Sequence, residues 1–220
     1  MQLSSYIDHT LLKPDAQKAA IEKLCKEALT NKFFSVCVNT SYVKLCAELL
    51  TGSSVKVCAV VGFPLGMMDT ESKAFETATA IKNGAQEIDM VIHVGALKDR
   101  DLHYVKEDIA AVVKAAAGNK VKVIIETSLL TYDDKVLACQ MALDGKAHFV
   151  KTSTGFNGGG ATVEDVELMK SVVGNNMEVK ASGGIKNTEQ ALALIEAGAT
   201  RLGTSSGVAL AQGLQVNGGY

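Results

Sequence analysis

Three segments of the chain share one layout: NGAQEIDM (83–90), DGKAHFVK (144–151) and AGATRLGT (197–204). In each, a glycine stands where a helix would end in the left-handed conformation, and a strand begins within a few residues. A recurring helix–glycine–strand joint returns every strand to the same end of a sheet, which favours a parallel α/β architecture. Working outward from these joints, runs rich in Val, Ile and Phe predict strands over 6–10, 33–38, 55–61, 87–92, 121–126, 148–152, 178–181 and 201–203. Amphipathic stretches lie between them. Over 101–117, Leu102, Val105, Ile109, Val112, Val113 and Ala116 form one apolar stripe that needs a sheet to cover. Thr162 with Asp165, and Asn187 with Gln190, mark helix starts as capping boxes or near variants. Eight strands alternating with helices predict a (β/α)8 TIM barrel, a single domain over 1–220 with a short flexible C-terminal tail at 213–220. The first strand is short and the last glycine-rich, so an open doubly wound sheet is the alternative.

Composition agrees with a compact enzyme-sized domain. A chain of 220 residues, 47% hydrophobic, with two prolines and a mean hydropathy of +0.16, can bury one sizeable core. Twenty-two Lys and Arg against 24 Asp and Glu give a net charge of -2, with no long run of one sign. Nothing there marks a nucleic-acid or membrane surface. The first dozen residues do not resemble a secretory signal, and the longest apolar run, 57–68, is short and interrupted by Gly62, Pro64 and Gly66. We expect a cytoplasmic protein. The five cysteines are odd in number and show no C-x-x-C spacing, so neither disulfides nor a zinc site is expected.

Alternation then locates the chemistry. In a barrel, outward side chains must be apolar to meet the helices. Ile88, Met90 and Ile92 take that side, so Glu87 and Asp89 point inward; by the same count Lys151, Glu178 and Lys180 also face the interior. Ionised groups out of water cost several kcal/mol unless partnered. One explanation is a structural ion-pair cluster. The other is a functional site in which Lys151, desolvated beside Lys180, has a lowered pKa and serves as an amine nucleophile. The position of both lysines just before loops favours the second, because barrel active sites lie at the C-terminal ends of strands. Ser182-Gly183-Gly184 and Gly203-Thr204-Ser205-Ser206-Gly207 follow the last two strands, where barrels commonly bind phosphate, although each alone is also an ordinary turn. The loop STGFNGGGAT (153–162) follows Lys151, and its small residues permit close approach of backbone to a ligand.

At these residues the sequence resembles the deoxyribose-phosphate aldolases. The matching blocks are IDHTLLKP (7–14), VCVN (36–39), VGFPLG (61–66), EIDMVI (87–92), KVIIET (122–127), FVKTSTGF (149–156), VKASGGI (179–185) and RLGTSSG (201–207), in order along almost the whole chain. The resemblance implies cleavage of 2-deoxy-D-ribose 5-phosphate to acetaldehyde and glyceraldehyde 3-phosphate, with neither metal nor organic cofactor. It makes Lys151 the Schiff-base lysine, Lys180 the neighbour that lowers its pKa, and Asp89 the carboxylate of the proton relay. Asp8 bridges to Lys180, Thr10 and Thr152 order polar groups around the site, and Gly155, Gly183, Gly184, Gly203, Ser205 and Ser206 hold the phosphate. Tyr220 matches a C-terminal tyrosine that assists proton exchange in some relatives. Cys37 resembles a thiol near the substrate pocket, which a buried structural cysteine explains equally well. His93 stands where asparagine is often found, and reads better as a surface or supporting residue than as part of the site. The family also implies a homodimer. Two rival readings share the lysines: an aldolase for a keto-acid or ketose phosphate, and a non-catalytic barrel that binds a sugar phosphate.

Overall fold

The computed structural model of the chain describes residues 3–214. Eight parallel strands close into a barrel in the order β1 to β8. They are β1 (Ile7–Leu11), β2 (Ser35–Val38), β3 (Lys56–Val61), β4 (Glu87–Val91), β5 (Lys120–Ile124), β6 (Phe149–Lys151), β7 (Glu178–Ser182) and β8 (Arg201–Thr204). Helices α1 (Lys18–Asn31), α2 (Val43–Leu49), α3 (Thr70–Lys82), α4 (Val94–Lys98), α5 (Leu102–Ala115), α6 (Tyr132–Asp144), α7 (Val163–Val173), α8 (Thr188–Glu196) and α9 (Gly207–Ala211) connect and follow them. The two strands that were hardest to read complete the closure: Asp8 pairs with Gly203 and His9 with Thr204. Among the described residues, no helix is long and apolar enough to cross a membrane.

The apolar residues sort by face. Val36, Val57, Ile88, Met90, Val121, Val123, Val150, Val179 and Leu202 pack outward into one cluster with the helices. Burying each such side chain contributes about 1.5–3 kcal/mol, which is why the outer face of every strand is apolar. The inner face is different: Leu12, Cys37, Cys58 and Val60 form only a small separate cluster, and charged groups fill the rest. Helix starts follow the expected caps, with Thr162 accepting from the Asp165 N–H at 3.1 Å and Asn187 from the Gln190 N–H at 2.8 Å.

Two expectations need correction. Gly84 and Gly198 do end helices at positive φ (109° and 115°), but Gly145 has φ -74° and the left-handed residue is Lys146, at 63°. Space explains the glycine there, since a Cβ on residue 145 would lie 2.6 Å from Cγ2 of Ile109. Glu178 shares the inward face with Lys180 but sits at the N-terminal rim, half exposed, 3.6 Å from Lys120.

Outside the barrel, α3 and α5 are joined by a fully buried ion pair: Lys73 Nζ lies 2.6 Å from Asp108 Oδ2 and donates to the Val91 carbonyl at 3.1 Å. The hydroxyl of Thr70 donates to the other Asp108 oxygen at 3.0 Å. Asp108→Ala would strand the ammonium, so urea denaturation should show a loss of about 3–5 kcal/mol. A loss below about 1 kcal/mol would mean that the pair contributes nothing to holding these helices.

Candidate active site

Seven ionisable side chains meet inside the barrel from six strands: Asp8, Glu87, Asp89, Lys122, Lys151, Lys180 and Arg201. All are 5% exposed or less. Asp89 is the hub. Its Oδ2 accepts from Lys151 at 2.8 Å and Lys180 at 2.7 Å, and its Oδ1 accepts from Lys122 at 2.7 Å and the Cys58 thiol at 3.1 Å. Lys180 also donates to Asp8 at 2.5 Å. Beneath them, Lys122 contacts Glu87 at 2.7 Å, and Arg201 bridges Glu87 and Asp8 at 2.9 Å each while stacking on Phe34.

Burial alone would raise the carboxylate pKa values and lower those of the lysines. The close pairing overrides it. Lys122, Lys151 and Lys180 hold Asp89 well below the ordinary carboxylate range, and Lys180 with Arg201 does the same for Asp8. In turn Asp8 and Asp89 hold Lys180 above the lysine range despite its burial, so it is a fixed cation. Gly203 faces this interior, where a Cβ would lie 3.0 Å from Cε of Lys180; the glycine in β8 makes room for the lysine stem.

Above the cluster, at the C-terminal end of the strands, opens a cleft. Thr10, Lys151, Gly155, Gly183, Gly184, Gly203, Ser205 and Ser206 all line it. Lys180, Asp89 and Asp8 lie beneath rather than in its wall. Thr152 is buried, its hydroxyl donating to the Ser182 carbonyl and accepting from the Ser182 N–H, both at 3.0 Å; it ties the β6 and β7 loops together. Cys37 is fully buried beside Leu12 and Cys58 and is not in the wall. His93 caps α4, its Nδ1 accepting from the Ala96 N–H at 3.0 Å. Tyr220 lies outside the described residues. The sulfurs of Cys37 and Cys58 and a carboxylate oxygen of Asp89 lie within 4.8 Å of one another, but the three ammoniums around that carboxylate oppose a metal cation.

Residues 3–213 match the DeoC/LacD family of aldolases. The chain belongs to this family. It is 74% identical over 220 residues to a deoxyribose-phosphate aldolase of Bdellovibrio bacteriovorus and 59% identical over 221 residues to one of Brevibacillus brevis, covering all of both chains in each comparison. Among solved structures, it superposes on the tetrameric deoxyribose phosphate aldolase of Aeropyrum pernix with a TM-score of 0.89 and 34% identity, over 96% of this chain and 89% of that one.

Several site residues of this DeoC/LacD aldolase escape a strand-by-strand reading. Lys122 and Arg201 complete the internal network; alternation in KVKVI and RLGT gives their face but not their depth. Lys186, an exposed cation, joins the glycine loops at the cleft wall. Glu126 sits at left-handed φ 57° just after β5, 1% exposed. Its carboxylate accepts from the N–H and hydroxyl of Thr154 and from Asn157 Nδ2, so it fixes the β6–α7 loop that carries Gly155.

Proposed function

We propose that this chain is a class I deoxyribose-phosphate aldolase, which reversibly cleaves 2-deoxy-D-ribose 5-phosphate to D-glyceraldehyde 3-phosphate and acetaldehyde through a Schiff base on Lys151. The observation that carries the reading is the position of Lys151: it is the member of the internal charge network that also lines the cleft. An amine held there meets substrate on one side and a fixed carboxylate and cation on the other.

The Nζ of Lys151 attacks the open-chain aldehyde at C1, and loss of water gives an iminium. A water held by Asp89 and Lys180 takes the C3 hydroxyl proton. The C2–C3 bond breaks, its electron pair passes to the iminium to give an enamine, and glyceraldehyde 3-phosphate leaves. Protonation at C2 and hydrolysis release acetaldehyde and restore the amine. Asp8 and Arg201 keep Lys180 in place from below, and Thr10 and Thr152 order the polar wall. The backbone of Gly155, Gly183, Gly184 and Gly203, the hydroxyls of Ser205 and Ser206, and the nearby Lys186 suit a phosphate dianion in the adjoining part of the cleft. Cys37 serves in the interior packing, and proton exchange by Tyr220 stays part of the proposal.

We also propose a single-domain, cytoplasmic homodimer. Buried, unpaired thiols at all five cysteines suit a reducing compartment. Phe75, 76% exposed, lines a surface groove with Met68, which suits association between copies. A coupled assay with 2-deoxyribose 5-phosphate, run with a chelator present, should yield both products. Binding of the sugar phosphate without acetaldehyde release would favour a non-catalytic barrel, and preference for a ketose phosphate would favour a different aldolase.

A further inference from the structure

The charge network extends well below the groups that the reaction uses. From the proposed assignment of Lys151 as nucleophile, we propose that Lys122 and Glu87, at the floor of the barrel, are positioning residues that set the pH at which the Lys151 amine becomes available, with opposite signs.

Charged and titratable groups face Lys151 from seven strands of the barrel. Asp8 comes from β1, the Cys37 and Cys58 thiols from β2 and β3, Glu87 and Asp89 from β4, Lys122 from β5, Lys180 from β7 and Arg201 from β8. At the mouth, Glu126 and Lys186 add one charge of each sign. Among the described residues, four cations stand against three carboxylates within the barrel, so releasing the proton of Lys151 leaves that set balanced. The other six charges are held in interlocking pairs between 2.5 and 2.9 Å. Water does not screen them, because Lys122, Lys180, Asp8 and Asp89 are 0% exposed.

Lys122 acts through Asp89. It occupies Oδ1 while Lys151 and Lys180 share Oδ2. Without Lys122, the whole carboxylate charge falls to the two remaining lysines and the interior is balanced only with Lys151 protonated. The proton is then held more tightly. Glu87 acts in the reverse direction. It contacts both Lys122 and Arg201, so neutralising it leaves two unmatched positive charges and makes the Lys151 proton easier to lose.

The test is the pH dependence of kcat/KM, which reports the free enzyme, for wild type, Lys122→Met, Glu87→Gln and the double variant, with thermal melts to verify folding. The alkaline-going rise should move up by on the order of one pH unit in Lys122→Met and down by a similar amount in Glu87→Gln. In the double variant, where the count is restored, it should return to the wild-type position even if turnover is reduced. Rises that superimpose, or that move in the same direction in both single variants, would overturn the inference, as would a double variant that stays displaced. Should Lys122→Met not fold, the near-isosteric Glu87→Gln decides alone: an unmoved rise refutes the idea. Borohydride trapping of substrate on wild-type Lys151 separates the two levels. No adduct defeats the nucleophile assignment, whereas an adduct with unmoved profiles defeats only the role of the floor residues.

Discussion

Lys151→Met should lower the cleavage of 2-deoxyribose 5-phosphate by on the order of 10⁴-fold or more, about 5.5 kcal/mol of transition-state stabilisation. Methionine matches the lysine stem and leaves the outer core untouched, because the residue on the helix-facing side of β6 is Val150. What disappears is the amine, and with it the covalent route. Removing one of four interior cations also leaves Asp8, Glu87 and Asp89 balanced by Lys122, Lys180 and Arg201, so the fold should survive. A steady-state assay beside a urea titration checks this. Activity within tenfold of wild type would show that Lys151 is a charge partner only.

Lys180→Leu is the second large effect. The Lys151 and Lys180 amines lie within about 5.5 Å of each other, being 2.8 and 2.7 Å from the same oxygen of Asp89. At that spacing, with water excluded, the two like charges repel each other across the oxygen they share. Because Asp8 and Asp89 hold the Lys180 pKa above the ordinary lysine range, this repulsion operates across the whole working pH range. Removing it favours the protonated amine at Lys151, the proposed nucleophile, so the activity rise should move to higher pH. At pH 7 turnover should fall by about 10²-fold and partly recover in alkaline buffer. A uniform loss at every pH would show that Lys180 does not set the protonation of the Lys151 amine.

How far the site could be read from the sequence depends on which physical property each residue needed. Face is local. Period-two alternation placed Asp89, Lys151 and Lys180 inward, and the structure has all three on one carboxylate. Depth is not local. Glu178 and Lys180 share a face and are two residues apart, yet the first is half exposed and the second fully buried. The stagger of neighbouring strands decides this, and no single strand records it. The same gap hid Lys122, which alternation puts on the face of Lys120; Lys120 ends up in solvent and Lys122 in the network. Arg201 stood in the most weakly patterned strand, where Gly203 weakens the strand signal while providing the space that Lys180 occupies. Glu126 had no local signature at all, because its partner Thr154 is 28 residues away and its role depends on a left-handed backbone conformation. The glycine and serine loops after β7 and β8, by contrast, were legible from their place in the strand order, and they line the cleft together.

If one amine in the barrel bonds covalently to substrate, reduction in place should capture it. Treating the enzyme with 2-deoxyribose 5-phosphate and borohydride, then digesting it and measuring peptide masses, should reveal a stable adduct on the peptide containing Lys151, absent without substrate. An active, intact enzyme that gains no mass at Lys151, or gains it on another lysine, would show that Lys151 is not the Schiff-base lysine.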